Sequence, residues 1–134
     1  MSQKRFNTEL LDFLESSPTA FHAVAALKSM LLDSGFTALS EEEQWDLAEG
    51  HNYFVTRNDS ALIAFRYDSQ SLIGEGLRLT GAHTDSPSLK VKPNPEVYRQ
   101  GYVQLGVEVY GGVLFAPWFD RDLSIAGRVH YKSR

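Results

Sequence analysis

Apolar side chains in the first third of the chain recur at helical spacing. One stripe consists of Phe6, Leu10, Phe13 and Leu14, and a second of Phe21, Val24, Leu27, Leu31 and Leu32. Between the stripes, Ser17 is a favourable N-cap, and Pro18 suits the first position of a helix because its missing N–H is not needed there. Gly35 is a natural C-terminal stop for the second stripe. The pattern therefore predicts two short helices.

The middle of the chain has the composition typical of strands. Segments 53–57 and 61–67 are rich in aromatic and β-branched residues, and they flank Asn58-Asp59-Ser60, a plausible hairpin turn. A polar loop at 68–71 leads to another candidate strand at 77–83. The acidic run at 41–43 follows Ser40 and predicts the solvated N-terminus of a helix.

The last third also predicts strands. Valine or leucine at positions 103, 105, 107 and 109 alternates with other residues, as in a strand with one solvent-exposed face. Gly111 and Gly112 predict a turn, and segment 125–131 a final strand. Pro93-Asn94-Pro95 is the best candidate for a domain boundary, because two prolines oppose regular ladder bonding. We expect an α/β protein, α+β within this chain, with helices and the start of a sheet over 1–92 and a β-rich unit over 93–134.

Composition and charge exclude several classes of function. Of the 134 residues, 43% are hydrophobic and 22% charged, which is typical of a globular domain. A formal net charge of −4 argues against a nucleic-acid partner, and no apolar run approaches the length needed to span a membrane. The chain has no cysteine, so disulfides and thiolate metal sites are excluded. Any metal ligand must be His, Asp or Glu.

His83 is the strongest candidate for chemistry because of its neighbours in Gly81-Ala82-His83-Thr84-Asp85. Residues two apart at a strand end lie on the same side, so His83 and Asp85 can point into one cleft. A carboxylate that accepts from one imidazole nitrogen orients the other nitrogen towards a metal. An exposed ion pair without function explains the same spacing. A catalytic zinc needs about three protein ligands, and this motif offers one.

The other histidines give weaker signals. We expect His22 to be half-buried at a helix, His51 to be solvated, and His130 to lie on the surface of a strand. The segment 118–122, WFDRD, combines aromatic and charged residues. It predicts either a subunit contact or a turn whose aromatic rings fill its own core.

Three ordered motifs give a resemblance to a known family. Residues 17–24 read SPTAFHAV, residues 81–87 read GAHTDSP, and YGG at 110–112 precedes WFDRDL at 118–123. Together these motifs resemble the N-terminal part of the M18 family of zinc aminopeptidases, the aspartyl aminopeptidase group. The resemblance runs through nearly the whole chain. Ala20 and residues 113–117 depart from the expected pattern, which bears on substrate preference more than on metal binding.

The resemblance implies a cytoplasmic aminopeptidase with two zinc ions, which releases N-terminal residues of acidic or broader type from peptides. It implies that His83 is a zinc ligand and Asp85 the catalytic carboxylate that orients it. The family also implies a catalytic domain, here 1–92, with an inserted β-rich dimerisation domain, here beginning at 93–134. Residues 118–123 would belong to that inserted domain, and assembly into a large homo-oligomer built from dimers would follow.

The family's remaining zinc ligands and its general base lie further along than the matched segment, so the resemblance implies that this chain alone is inactive. Two other hypotheses stay open. One is a non-catalytic assembly or regulatory module. The other is a related zinc hydrolase that removes acyl groups from N-acyl amino acids. Zinc-dependent release of free N-terminal residues would distinguish the aminopeptidase from both.

Overall fold

Two helices begin the structure, a computed structural model that describes residues 2–133. Helix α1 spans Gln3–Ser16 and helix α2 spans Ala20–Asp33, as the apolar stripes predict. The boundary between them differs from the prediction. Ser17 is the C-cap of α1, and Thr19 is the N-cap of α2, with its side chain accepting from the backbone N–H of His22. Thr19 takes the capping role because its extended backbone, at φ −141° and ψ 165°, aims its hydroxyl at the first turn.

Gly35 follows the C-cap of helix α2 and stops the helix, as predicted. Gly35 has φ +80°, and its N–H donates to the carbonyl oxygen of Leu32 at 3.0 Å. The N–H of Phe36 donates to the carbonyl oxygen of Leu31 at 2.9 Å. This pair of bonds is a Schellman motif, which requires a left-handed residue that glycine adopts at little cost.

A three-stranded sheet follows the helices. Strands β1 (Thr37–Leu39), β2 (Asn52–Arg57) and β3 (Ala61–Arg66) lie in that order, with β1 parallel and β3 antiparallel to β2. The predicted hairpin is confirmed. Asn58 and Asp59 adopt φ of 52° and 54°, the left-handed backbone that asparagine and aspartate tolerate in tight hairpins.

The core lies where α2 meets the sheet. The buried apolar residues are Ala23, Val24, Tyr53, Phe54 and Val55. Helix α2 contacts β1 and β3, the strands on either side of β2. The middle strand is therefore the most protected element, and Phe54 exposes only 1% of its surface.

Three local predictions in this region are wrong. Residues 41–43 form a turn rather than a helix N-terminus. The expected loop at 68–71 is the start of helix α3, Ser69–Gly74, where the N–H of Ser69 donates to Glu49 Oε2 at 2.9 Å. Segment 77–83 is irregular, because a strand needs a hydrogen-bonded neighbour and the described residues provide none for it.

A long antiparallel hairpin forms the second part of the chain. Strands β4 (Ser88–Arg99) and β5 (Tyr102–Tyr110) pair along their length. The predicted strand at 103–109 is confirmed, but both of its faces are largely exposed in this chain. Pro93 and Pro95 do not end β4. They lie within a register irregularity between Val91 and Glu96, where the ladder skips residues, so their missing N–H groups cost the ladder no bond.

The chain divides into two compact units. One contains the residues up to Asp85 together with those from Ala126 onward, and the other is Ser86–Ile125. Pro93 lies inside β4, and the assignment of 1–92 and 93–134 to catalytic and dimerisation domains stays a prediction. A short 3₁₀ helix, Ala116–Trp118, follows β5. Segment 125–131 does not form the predicted strand, since no described strand pairs with it.

The mixture of helices and sheets agrees with the predicted fold class. Within residues 2–133, no helix is both long enough and apolar enough to cross a membrane.

Candidate metal site

The structure brings His83 and Asp85 together, as their spacing predicts. His83 Nδ1 lies 2.6 Å from the backbone carbonyl oxygen of Asp85 and 3.5 Å from its carboxylate oxygen Oδ1. A carbonyl oxygen can only accept a hydrogen bond, so Nδ1 carries the proton in the neutral imidazole. The lone pair is then on Nε2. This is the tautomer that a metal-ligating histidine needs when it binds through Nε2.

The partner that orients the imidazole differs in part from the prediction. We expected the Asp85 carboxylate to accept from the ring, whereas the shortest contact is to the Asp85 backbone carbonyl. Both groups serve as partners of metal-bound histidines, because either one fixes the tautomer and the ring plane. The contact closes over only two residues, so the local turn suffices to form it without a strand.

The candidate ligand is accessible from solvent. The side chain of His83 is 78% exposed and that of Asp85 is 47% exposed. A metal ion can therefore reach the imidazole from solvent without first displacing a side chain of the described residues.

Thr84, between these two residues, points the other way. Its hydroxyl donates to the backbone carbonyl oxygen of Ser60 at 2.7 Å, and both residues are half-buried. The sequence pattern does not predict this contact of Thr84 with Ser60. In an extended segment, alternation places the Thr84 side chain opposite those of His83 and Asp85. Alternation alone does not indicate which residue Thr84 contacts.

A second segment, which contains Arg128, contacts the same hairpin turn. Arg128 Nη1 donates to the backbone carbonyl oxygen of Asn58 at 3.0 Å and lies 3.8 Å from Asp59 Oδ2. Its guanidinium carbon is 4.1 Å from the centre of the Phe21 ring, a cation–π distance. The turn between β2 and β3 is thus contacted by two residues distant from it in sequence, Thr84 and Arg128.

His83 fits a metal as one ligand and not as a complete site. Among residues 2–133, no group of three or more His, Asp and Glu side chains is close enough to hold an ion. A catalytic zinc takes about three protein ligands. The roles of His83 as a metal ligand and of Asp85 as its catalytic partner stay predictions.

The other histidines have the degree of burial expected of them. His22 is half-buried at the start of α2, with Nδ1 2.8 Å from the Thr19 hydroxyl oxygen. His51 is exposed and stacks on Tyr53, with 6.5 Å between ring centres. His130 is exposed as predicted, but in an irregular segment.

Glu41, the first residue of the acidic run at 41–43, forms a bidentate ion pair with Arg57. Arg57 donates to both carboxylate oxygens of Glu41, with Nη2 2.6 Å from Oε1. These hydrogen bonds lower the pKa of Glu41 below its usual 4.5 and raise the pKa of Arg57. The pair joins the turn after β1 to the end of β2.

The aromatic segment at 118–123 does not fill a core of its own. Phe119 is 64% exposed, and Trp118 is half-buried at the end of the 3₁₀ helix. Arg121 Nη1 donates to the carbonyl oxygen of Pro117 at 3.3 Å. Of the two alternatives for this segment, the exposure of Phe119 favours a contact surface.

Solved structures share this fold. The structure of Chaetomium thermophilum mApe1 is 38% identical with a TM-score of 0.79, over 88% of this chain and 27% of that one. The S. cerevisiae mApe1 dodecamer is 30% identical with a TM-score of 0.69, over 86% of this chain and 27% of that one. The chain therefore shares its fold with about a quarter of the length of each of these proteins.

Sequence comparison specifies the family. A probable M18 family aminopeptidase 2 from Stutzerimonas stutzeri (strain A1501) is 61% identical over 125 residues, which are 93% of this chain and 29% of that protein. The family model described as aminopeptidase I zinc metalloprotease (M18) matches residues 13–134. The chain belongs to the M18 family. It spans about three tenths of the length of the curated relatives that it matches.

Proposed function

We propose that this chain is the N-terminal part of a zinc-dependent aminopeptidase in which His83 is a zinc ligand. The observation that carries the proposal is the hydrogen bond from His83 Nδ1 to the Asp85 carbonyl, which leaves the lone pair on Nε2 of a side chain that is 78% exposed. Family membership supports the reaction class, since the matching family model is described as a zinc metalloprotease.

Asp85 supports His83 in two ways in this proposal. The Asp85 backbone carbonyl holds the tautomer, and the Asp85 carboxylate, 3.5 Å from the same nitrogen, supports the imidazole electrostatically when zinc draws electron density from it. Zinc, when bound, lowers the pKa of a water molecule and polarises the scissile carbonyl. The enzyme would use two zinc ions, and His83 would serve one of them.

The 134-residue chain alone would be inactive in this proposal. The described residues bring one candidate ligand to the site, and about three are needed for a catalytic zinc. The remaining ligands and the general base would come from the part of the relatives that this chain does not match.

Substrate, assembly and location are further parts of the proposal. The substrates would be peptides with a free N-terminal residue, acidic or of a broader range. A dodecameric neighbour supports assembly into a large homo-oligomer, and the exposed Phe119 suits a subunit contact. The cytoplasm is the proposed location.

Replacing His83 tests the assignment. In the complete protein, we expect His83→Ala to lose one bound zinc per subunit, measured by atomic emission, together with aminopeptidase turnover. Asp85→Asn should retain the fold and lower zinc affinity or turnover by about 10–100-fold. His130→Ala, which removes an exposed histidine elsewhere, is the matched control and should retain both.

Substrate choice separates the reaction classes. Release of free N-terminal residues from peptides, without cleavage of N-acylated substrates, supports the aminopeptidase. Full zinc content and near wild-type turnover in His83→Ala would contradict the assignment of this ligand.

A further inference from the structure

We propose that Thr84 is a positioning residue that fixes the candidate zinc ligand to the hairpin turn Asn58–Ser60. The inference rests on the proposed function of His83. It goes further by naming the group that holds the His83–Asp85 segment in place and the element to which that segment is fixed.

The segment needs such an anchor because it has no sheet partner among the described residues. Residues 77–83 are irregular, and Leu79 is 88% exposed. The hydrogen bond between His83 and Asp85 orders the imidazole relative to its own turn but does not fix that turn to the rest of the unit. A ligand must be held within a fraction of an ångström for a metal site to be preorganised.

Thr84 supplies a link between the segment and the folded core. Its hydroxyl donates to the Ser60 carbonyl at 2.7 Å, across 24 residues of sequence. Ser60 ends the turn between β2 and β3, so this acceptor is attached directly to the sheet. The link is half-buried, so it competes less with water than an exposed one.

The hairpin turn that carries this acceptor is also contacted by a second residue distant in sequence. Arg128 donates to the Asn58 carbonyl at 3.0 Å, and its guanidinium packs over the Phe21 ring of α2. The turn is thus tied to helix α2 and to β2 and β3 together. A displacement of the turn would move Ser60, and Thr84 and His83 would move with it.

Two substitutions of Thr84 in the complete protein test this inference. Thr84→Val has the same shape but no hydroxyl, and Thr84→Ser keeps the hydroxyl. We expect Thr84→Val to weaken zinc binding about tenfold in a chelator competition, the lower end of the range for groups that orient a ligand. In the metal-free protein, amide exchange at residues 83–85 should become faster, while β2 keeps its protection. Thr84→Ser should restore both measurements to near the wild-type values.

Kinetics separate positioning from a general loss of stability. A misplaced ligand lowers kcat, whereas KM for the peptide should change less than twofold. Unchanged zinc affinity and exchange in Thr84→Val would overturn the inference, as would a loss that Thr84→Ser does not restore. Those outcomes leave the proposed function intact if His83→Ala still loses zinc. Retention of zinc by His83→Ala contradicts the proposed function instead.

Discussion

Truncation of Phe54 should destabilise the sheet that carries the hairpin turn. Phe54 lies in the middle strand and exposes 1% of its surface. In register, it is flanked by Ala38 on β1 and Ala64 on β3. These neighbours each contribute only a methyl group on that face, so they cannot fill the space that the ring leaves.

The magnitude follows from this packing. Replacing a buried phenylalanine with alanine costs about 3–5 kcal/mol, and a site that cannot collapse lies towards the upper end. Every 1.4 kcal/mol is a factor of ten in an equilibrium constant. Phe54→Ala should therefore raise the population of the locally opened sheet by a factor of about 100 to about 4,000.

Amide hydrogen exchange, resolved by peptide, measures that opening in the complete protein without requiring two-state unfolding. The amides of β2 should exchange faster by the factor above. Phe54→Leu refills most of the volume and should cost about 1.5 kcal/mol. Ile63→Thr, at a position 66% exposed on the neighbouring strand, should change stability by no more than about 0.5 kcal/mol. If Phe54→Ala exchanges as slowly as Ile63→Thr, Phe54 does not hold the sheet together.

Two further predictions concern the ion pair and the end of α2. The hydrogen bonds from Arg57 lower the pKa of Glu41, so the pair stabilises the fold above the ordinary pKa of 4.5 and loses that contribution as pH falls through the lowered value. Glu41→Gln should therefore reduce Tm at pH 7 and flatten its fall below pH 4.5; a parallel pair of Tm–pH curves would contradict this. Gly35→Ala should destabilise the fold by about 1 kcal/mol in thermal unfolding, because Gly35 has φ +80°. Gly74→Ala is the control, since Gly74 has no positive φ and open space at Cβ, and equal Tm values for the two would refute the reasoning.

Elements whose signals lie within one segment were predictable. The stripes of α1 and α2, the left-handed Gly35, and the turn at Asn58 and Asp59 all depend on residues close in sequence. The strands β2, β3 and β5 follow from the same local reasoning. Local signals suffice here because helix caps and tight turns are satisfied by their own neighbouring residues.

Elements that depend on distant partners were not predictable. Segments 77–83 and 125–131 have the composition of strands but lack a pairing neighbour among residues 2–133. Helix α3 begins where Glu49, twenty residues earlier, accepts from the N–H of Ser69. Pro93 and Pro95 failed as strand breakers because the irregular register of β4 leaves them outside the ladder.

The candidate site shows the same division. The contact between His83 and Asp85 spans two residues, and their spacing was enough to predict it. The bond from Thr84 to Ser60 spans twenty-four residues, and no local pattern indicates a particular carbonyl as acceptor. A contact between residues of one turn can be predicted from the sequence, whereas the contact that attaches this turn to the rest of the fold cannot.

The bond from Thr84 to Ser60 shows how a candidate ligand on an irregular segment can be held in position. A loop places chemistry well when a rigid scaffold holds its base. Here the scaffold is the β2–β3 hairpin, whose strands pair over six residues and whose middle strand is buried. The tight turn that ends the hairpin exposes backbone carbonyls that the strand ladder does not use, at Asn58 and Ser60, and these accept from Arg128 and Thr84. If His83 binds zinc as proposed, its position depends on the hairpin, and substitutions that loosen the sheet should weaken zinc binding even where they are far from the imidazole.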